Sequence, residues 1–315
     1  MTISIIFLII GFVLLVKGAD FFVGGSSRIA AALKVPPLII GLTLVSFGTS
    51  APEASVSIVS AINGLNDMSL GNVVGSNIFN TLLIIGISSL LVPIFIEKSV
   101  KKFDIPVMLG VYGTLALFAF VITPLKIDRW EAVVMLVLFA AYLALLLLRA
   151  KKSKPQLPLP RKEENNFPVW FSPFMLVVGL CGIIVGGNLV VDSATQIATA
   201  LGMSQSLVAL TIVAVGTSLP ELVTSVVAGI KKENDIAIGN IIGSNIFNVI
   251  FILGLSAALH PVALTFGAIA DIAVLAGSAI LLFVISLKGD RCNRVHGALM
   301  ILLYVLYIAY IIARN

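Results

Sequence analysis

The sequence GTSAPE at residues 48–53 lies inside a long apolar run, and the almost identical GTSLPE occupies residues 216–221. A proline interrupts the hydrogen bonding of a helix, and an aspartate at the centre of a membrane helix costs about 2.5–3.5 kcal/mol on insertion scales. A proline next to an acidic residue is therefore a poor choice for an inert membrane span. Because the same pattern occurs twice, we infer that each copy contributes to a function.

The overall composition places the chain in a membrane. Of its 315 residues, 59% are hydrophobic and 11% are charged, whereas soluble domains carry about 25% charged residues. A membrane helix needs roughly 20 mostly apolar residues, and ten such runs occur at about 2–23, 38–62, 70–92, 104–124, 129–149, 168–191, 205–230, 238–260, 262–286 and 293–313. Since lipid leaves backbone polar groups to be satisfied within a segment, the sequence predicts an all-α polytopic protein with ten transmembrane helices in the lipid bilayer.

The basic residues predict which side of the membrane each connection faces. With ten spans, 16 of the 20 Lys and Arg residues fall on one set of connections and three on the other. Positive charge is retained in the cytoplasm, so the sequence predicts extracellular N- and C-termini, a cytoplasmic segment at 150–167 and a position in the cell (cytoplasmic) membrane. Topology explains the net charge of +5, and no nucleic-acid partner is predicted.

The chain contains an internal repeat with an offset of 168 residues. Residues 41–80 are identical to residues 209–248 at 21 of 40 positions, and the identities include glycines, prolines and polar residues. Two five-span halves follow, 1–149 and 168–315, joined by a basic, proline-rich linker at 150–167. Because five is an odd number, the repeats are predicted to be inverted in the membrane. Inverted repeats with interrupted helices are typical of secondary transporters, whose site lies near the midplane between the halves.

Two glutamates are the first candidate ligands. Glu53 and Glu221 fall near the middle of the second and seventh spans, whereas Lys17 lies close to the cytoplasmic end of the first. Two central carboxylates without central bases are predicted to bind cations. Pro52 and Pro220 have no N–H, so each leaves the carbonyl four residues earlier without its helical partner, and a cation can satisfy that oxygen.

Hydroxyl and amide side chains complete the candidate site. GNVVGSNIFN at 71–80 and GNIIGSNIFN at 239–248 each place a serine and an asparagine one helical turn apart, on one face. The predicted site-lining residues are Thr49, Ser50, Thr217, Ser218, Ser76, Asn80, Ser244 and Asn248. Close helix approach is predicted at Gly71, Gly75, Gly239 and Gly243. Interhelical hydrogen bonds are predicted for Asn72, Asn77, Asn240 and Asn245.

The ligand atoms are all oxygens, which suit hard cations. Ca²⁺ takes about six to eight oxygen ligands in variable geometry, and Mg²⁺ fits less well because it tends to keep its water. The sequence therefore predicts Ca²⁺ and Na⁺ as substrates, with no cofactor and no obligatory protein partner. An enzyme is disfavoured because neither His260 nor His296 lies near a hydroxyl cluster. A Ca²⁺ or cation channel remains as an alternative class.

The paired motifs, GTSAPE and GTSLPE, each followed by GN..GSNIFN, resemble the two alpha-repeat motifs of the sodium/calcium exchangers of the calcium/cation antiporter superfamily. The resemblance covers nearly the whole chain. It implies two inverted five-helix halves that exchange Na⁺ for Ca²⁺ by alternating access, with Glu53 and Glu221 as ligands shared by both ions. The further ligands that it implies are the hydroxyls of Thr49, Ser50, Ser76, Thr217, Ser218 and Ser244 and the carbonyls of Ser46 and Ala214.

Two amide positions bear on the kind of exchange. Asn80 matches the amide usual in the family, whereas Asn248 stands where some relatives carry aspartate, so this site would have one carboxylate fewer than theirs. Potassium-dependent exchange is an alternative. Proton-coupled exchangers typically carry a GN-x-x-E motif that neither half shows, so proton coupling ranks below sodium coupling.

Features outside the motifs receive weaker interpretations. The glycine-rich spans 2–23 and 168–191 are candidates for a segment that slides during transport. Asp20 lies near Lys17 and is assigned a structural role, and Asp271 is left without a role.

Overall fold

The described part of the chain is almost entirely helical. The structure, a computed structural model, describes residues 2–64, 66–152, 169–202 and 214–314. A 3-10 turn, Val169–Phe171, precedes α7. The helices, numbered in chain order, are α1 (Thr2–Leu33), α2 (Pro37–Thr49), α3 (Ala51–Ile62), α4 (Asn66–Ile78, continued by Phe79–Ile84 and Ile85–Leu91), α5 (Val100–Ile122), α6 (Arg129–Lys152), α7 (Ser172–Ala200), α8 (Ala214–Gly216), α9 (Leu219–Ile230), α10 (Asn234–Leu259), α11 (Phe266–Lys288) and α12 (Arg294–Arg314).

The predicted all-α membrane fold is confirmed at the level of its helices. Eight helices in the described residues are long and apolar enough to cross a membrane, and α2 with α3 makes a ninth when the bent pair is counted as one span. α9 is shorter, with 12 residues. The seventh predicted span, 205–230, begins within 203–213, which lie outside the described residues, so the count of ten stays a prediction.

α1 and α7 extend well beyond the spans predicted for them. The apolar runs end at about residues 23 and 191, but the helices continue to Leu33 and Ala200. Glycine and serine at 24–27 have weak helix propensity. Packing favours the longer helix there, because a Cβ added at Gly25 would lie only 3.0 Å from the carbonyl oxygen of Ser172.

α1 and α7 pack against each other along glycines. A Cβ added at Gly18 would lie 2.7 Å from the backbone nitrogen of Ile183, and a Cβ added at Gly179 would lie 2.7 Å from the carbonyl oxygen of Gly18. Leu15 and Phe22, on the same stretch of α1, are fully buried. The two glycine-rich spans thus form one tightly packed pair, and their sliding stays a prediction.

Contacts divide the chain into two compact units, each built from both sequence halves. The first unit comprises Met1–Thr49 and Leu143–Asn240, and the second comprises Ser50–Tyr142 and Ile241–Asn315. In the first unit, apolar side chains of α1, α2, α7, α9 and the start of α10 form one buried core. In the second unit, the middle of α4 and of α10 is fully buried, as at Ile84.

Four two-residue strands join helix ends in the second unit. β1 (Ile94–Phe95) pairs with β4 (Arg291–Cys292), and β2 (Lys126–Ile127) pairs with β3 (Val262–Ala263), both antiparallel. β1 and β2 stand at opposite ends of α5, and β3 and β4 stand at opposite ends of α11. α5 and α11 therefore run in opposite directions between the same two strand pairs.

Polar contacts reinforce the β1–β4 junction. The Lys101 Nζ lies 2.6 Å from Asp290 Oδ1, and the Arg291 guanidinium lies 4.3 Å from the ring centroid of Phe95. The hydrogen bond from Lys101 holds the pKa of Asp290 below its ordinary value. Basic side chains from the connections after α4 and after α11 thus meet at this junction, as expected for two connections that face the same side of the membrane.

Candidate cation-binding site

Both GTS-x-PE motifs interrupt a helix, as predicted. α2 ends at Thr49 and α3 begins at Ala51, with a bend of 51° between them. At the break, Ser50 has φ −82° and ψ 8°. Pro52 causes this break because it cannot donate a hydrogen bond to the carbonyl four residues earlier.

The second motif breaks its helix at the matching position. α8 ends at Gly216 and α9 begins at Leu219, and Ser218 between them has φ −93° and ψ 6°. With the offset of 168 residues, the bounds of α3 (Ala51–Ile62) coincide with those of α9, since 51 + 168 = 219 and 62 + 168 = 230.

Each glutamate lies in the first turn of the helix that follows its break. Glu53 in α3 and Glu221 in α9 are both fully buried. The N-terminus of a helix carries partial positive charge, which stabilises a carboxylate there. The spacing Ser-x-x-Glu also matches a capping box, but no side-chain hydrogen bond caps either helix at Ser50 or Ser218.

In the first unit, a chain of three side chains starts at the first break. Thr49 Oγ1 donates to Asn240 Oδ1 at 3.0 Å, and Asn240 Nδ2 donates to Ser225 Oγ at 3.0 Å. All of these groups are fully buried. Thr49 Oγ1 also lies 3.4 Å from the carbonyl oxygen of Ser46, which the resemblance names as a ligand. The hydroxyl of Thr49 and the carbonyl of Ser46 thus lie side by side at the break.

The second unit carries the counterpart of the Asn240–Ser225 bond. Asn72 Nδ2 donates to Ser57 Oγ at 2.9 Å and to the carbonyl oxygen of Glu53 at 3.2 Å. The interhelical hydrogen bonds predicted for Asn72 and Asn240 are thereby confirmed. Asn72 thus joins α4 to α3, and Asn240 joins α10 to α9, so each asparagine anchors a helix that carries a predicted glutamate ligand.

The predicted serine and asparagine ligands of α4 and α10 lie in the protein interior. Ser76 is 4% exposed, and Asn80, Ser244 and Asn248 are fully buried. Among the described residues, both amide atoms of Asn80 and the hydroxyl of Ser244 have no hydrogen-bond partner. A buried polar atom without a partner costs about 1–3 kcal/mol, so these oxygens fit a site that a cation completes.

Each of the two asparagines predicted as ligands lies in a π-helical turn, and the sequence did not predict these turns. One turn spans Phe79–Ile84 and includes Asn80, and the other spans Asn248–Leu253 and begins at Asn248. π-helical turns leave part of the normal helical hydrogen bonding displaced and frequently occur at functional sites. No residue type indicates a π-helical turn, and the only signal in the sequence was that the segments that contain the two turns recur in both repeats.

Asn77 and Asn245 join α4 to α10, as predicted. Asn77 Nδ2 donates to the carbonyl oxygen of Asn245 at 2.9 Å, and Asn245 Nδ2 donates to Thr81 Oγ1 at 2.9 Å. Asn77 Oδ1 also accepts a 2.9 Å hydrogen bond from Asn248 Nδ2. One predicted ligand, Asn248, is therefore oriented by a residue outside the predicted ligand set.

The remaining predicted ligands are placed only in part. Thr217 is half-buried in the turn between α8 and α9, and Ala214 begins α8 directly after the undescribed residues 203–213. One hydroxyl was missed: Thr224 is fully buried one turn after Glu221, and its Oγ1 has no hydrogen-bond partner among the described residues. Its repeat counterpart is Val56, so the repeat pattern gave no signal for it.

The close approach predicted for the glycines is confirmed at one position. A Cβ added at Gly239 would lie 2.7 Å from the carbonyl oxygen of Leu38 and 3.0 Å from Cα of Gly41, so α2 and α10 cross closely there. At Gly71 and Gly75 the close approach stays a prediction, since the repeat counterparts of Leu38 and Gly41, residues 206 and 209, lie outside the described residues.

Two other intramembrane acids have basic partners. Asp20 pairs at 2.6 Å with Lys231, which directly follows α9, rather than with the nearby Lys17. Asp271 pairs with Arg314 at 3.0 Å. Among the described residues, no group of three or more His, Cys, Asp and Glu side chains could hold a metal.

A helical membrane protein whose broken helices carry buried carboxylates among oxygen side chains belongs to the class of secondary cation transporters. The chain matches the sodium/calcium exchanger protein family over residues 3–148 and 171–313. It therefore belongs to the sodium/calcium exchanger family, which confirms the resemblance inferred from the motifs. This family consists of transporters, in line with the expectation that the chain is not an enzyme.

Individual relatives match over nearly their full length. A protein named CaxA from Alkalimonas amylolytica is 38% identical over 315 residues, and the sodium/calcium exchanger MaX1 from Methanosarcina acetivorans is 32% identical over 347. Each match covers 98% of both chains. The solved structure of the sodium-calcium exchanger NCX_Mj, soaked with 2.5 mM Na⁺ and 0.1 mM Ca²⁺, is 33% identical with a TM-score of 0.85, and the match covers 98% of both chains.

Proposed function

We propose that this chain is an antiporter that exchanges Na⁺ for Ca²⁺ across the cell membrane by alternating access. The observation that carries the proposal is the repeated placement of a fully buried glutamate in the first turn after a helix break, at Glu53 and at Glu221. Burying an unpaired carboxylate away from water costs free energy, so each glutamate is expected to be paired with a cation during transport. Two glutamates neutralise one Ca²⁺.

The oxygen-only ligand set supports Ca²⁺ and Na⁺ as the substrates. The proposed ligands are Glu53, Glu221, Thr49, Ser50, Ser76, Thr217, Ser218, Ser244, Asn80, Asn248 and the carbonyls of Ser46 and Ala214. Buried oxygens that have no hydrogen-bond partner among the described residues, as at Asn80 and Ser244, favour an ion that is coordinated directly by protein oxygens. The relative MaX1 is named a sodium/calcium exchanger, and NCX_Mj was solved after soaking with both ions.

We further propose ten spans in two inverted halves, 1–149 and 168–315, joined by the linker 150–167. The antiparallel course of α5 and α11 supports the inversion, because these helices occupy matching places in the two halves. The meeting of basic connections at β1 and β4 supports a shared side, which the charge distribution assigns to the cytoplasm. Both termini and the β2–β3 junction then face the outside.

Competition for the same oxygens couples the two fluxes. Na⁺ and Ca²⁺ both need the carboxylates of Glu53 and Glu221, so occupancy by one ion excludes the other. Neutralisation of the carboxylates lowers the cost of reorientation, whereas two bare charges oppose it. The site is therefore expected to switch its exposure from one side of the membrane to the other only when an ion is bound. This requirement produces exchange of ions and prevents a leak.

Calcium uptake into vesicles tests the proposal. The purified chain in proteoliposomes loaded with Na⁺ should take up Ca²⁺ when external Na⁺ is absent, and uptake should stop when external Na⁺ equals internal Na⁺. Uptake that is indifferent to the Na⁺ gradient would indicate a channel. Uptake driven only by a proton gradient, or only with K⁺ present, would replace sodium coupling with the corresponding alternative.

A further inference from the structure

We propose that Asn240, which is not one of the proposed ligands, is a positioning residue that orients the hydroxyl of Thr49 for cation binding. The inference rests on the proposed function, because it concerns a ligand of that same site. A residue of the second repeat would then orient a ligand at the helix break of the first repeat.

A threonine hydroxyl can bind a cation only through its oxygen lone pairs. Its proton must then point away from the ion, toward another acceptor. At Thr49 two acceptors are within reach: Asn240 Oδ1 at 3.0 Å and the carbonyl oxygen of Ser46 at 3.4 Å. The shorter bond, to Asn240, directs the proton away from Ser46.

The direction of this proton decides the state of two proposed ligands. When the hydroxyl of Thr49 donates its proton to Asn240, the lone pairs of Thr49 and the carbonyl of Ser46 are both available to an ion. When the hydroxyl donates to Ser46 instead, that carbonyl accepts a hydrogen bond and the lone pairs of Thr49 point in a different direction. The neutral amide of Asn240 thus leaves the hydroxyl oxygen of Thr49 and the carbonyl oxygen of Ser46 available to coordinate a cation.

Three observations show that the amide of Asn240 is held in place. Its Nδ2 donates to Ser225 Oγ at 3.0 Å, so the two ends of the amide have different partners. The side chain is fully buried. The neighbouring Gly239 lies against Gly41, where an added Cβ would be 3.0 Å from the opposing Cα, so the backbone that carries Asn240 is close-packed against α2.

A double-mutant cycle tests the role. Asn240→Leu removes the acceptor while keeping the branched shape and the number of side-chain heavy atoms, and Thr49→Val removes the hydroxyl. In proteoliposomes we expect the half-saturating Ca²⁺ concentration to rise about tenfold for Thr49→Val and about three- to tenfold for Asn240→Leu, and the double variant to match Thr49→Val within about twofold. A residue that acts only through the hydroxyl has nothing left to affect once that hydroxyl is gone.

A matched control separates positioning from packing. Asn245 is also a fully buried asparagine of α10, and its amide donates to a hydroxyl, Thr81, that is not a proposed ligand. Asn245→Leu should lower the melting temperature without coupling to Thr49→Val. If Asn240→Leu does not fold, Ser225→Ala removes only the anchor of the amide and should show the same coupling to Thr49→Val with a smaller shift.

The outcomes separate the two proposals. If the wild-type chain shows Na⁺-driven Ca²⁺ uptake but the effects of Asn240→Leu and Thr49→Val multiply, Asn240 has no positioning role. If the wild-type chain shows no such uptake and its melting temperature does not rise with added Ca²⁺, the proposed function itself is wrong. Coupling of Asn240, but not of Asn245, to Thr49 establishes the inference.

Discussion

Asn77 donates a 2.9 Å hydrogen bond from its side-chain amide to the backbone carbonyl of Asn245, which is its own counterpart in the 168-residue repeat. Under the proposed inverted arrangement, a residue can touch its counterpart only near the axis that relates the halves. We therefore expect this axis to pass between α4 and α10, at the level of Asn77. The predicted amide ligands Asn80 and Asn248 lie one turn further along the same helices.

The charge on each glutamate should be required for exchange. Glu53→Gln and Glu221→Gln keep the shape of the side chain but leave one negative charge for a divalent ion. We expect Na⁺-driven Ca²⁺ uptake to fall about 100-fold in each variant, which corresponds to roughly 2.7 kcal/mol. The measurement is initial ⁴⁵Ca uptake into Na⁺-loaded proteoliposomes.

Glu131 provides a matched control for this prediction. It is also a fully buried glutamate near a helix N-terminus, but its Oε2 accepts a 2.8 Å hydrogen bond from the backbone N–H of Asp128. Glu131→Gln keeps an acceptor at that position and should transport at near wild-type rate. Full activity in Glu53→Gln would remove Glu53 from the ligand set.

The proline of each motif should matter through the carbonyl that it frees. Pro52→Ala restores an N–H that can donate to the carbonyl of Gly48, so the break is expected to straighten. The carbonyl oxygen of Gly48 would then accept a helical hydrogen bond and no longer be available to a cation. We expect the half-saturating Ca²⁺ concentration to rise about three- to tenfold while the melting temperature stays the same or increases. Pro106→Ala is the control, because Pro106 lies in the unbroken α5. Equal effects of the two substitutions would argue against a special role of the break.

The sequence predicted the parts of the site that depend on residue type. Proline, glutamate and hydroxyl residues at a fixed spacing indicated the breaks, and both breaks are present at Ser50 and Ser218. The repeat then indicated which polar residues belong together, and the bonds of Asn72 and Asn240 follow it. Local chemistry and repetition together were sufficient for these features.

Features that depend on tertiary packing could not be predicted. The π-helical turns at Phe79–Ile84 and Asn248–Leu253 arise from a shift of backbone pairing that no residue type requires. The contact of Asp20 with Lys231 joins residues 211 positions apart, and no local pattern of residues indicates such a pairing.

The close packing at Gly239 gives a stability prediction. A Cβ at Gly239 would meet the backbone of Leu38 at 2.7 Å, and backbone atoms cannot easily move away. Gly239→Ala should therefore destabilise the protein by about 1–3 kcal/mol. Gly113→Ala, at an exposed position of α5, meets no described atom of its own unit within 4 Å and should be neutral or stabilising by up to about 1 kcal/mol, because alanine favours a helix. Melting temperatures in detergent test this, and equal losses would contradict it.

The pairing of α1 with α7 gives the last prediction, which concerns Gly179. A Cβ at Gly179 would lie 2.5 Å from the backbone nitrogen of Phe22, so Gly179→Ala must push the two helices apart. Gly187, on the same helix, is a control, because among the described residues its added Cβ would meet only the side chain of Pro220, at 3.9 Å. If α1 and α7 move as one body during transport, Gly179→Ala should slow maximal Ca²⁺ uptake at least about tenfold, while the half-saturating Ca²⁺ concentration changes less, since neither helix carries a proposed ligand. Gly187→Ala should transport like the wild type. A Gly179→Ala variant that is less stable but turns over at the wild-type rate would show that the close pairing serves folding alone.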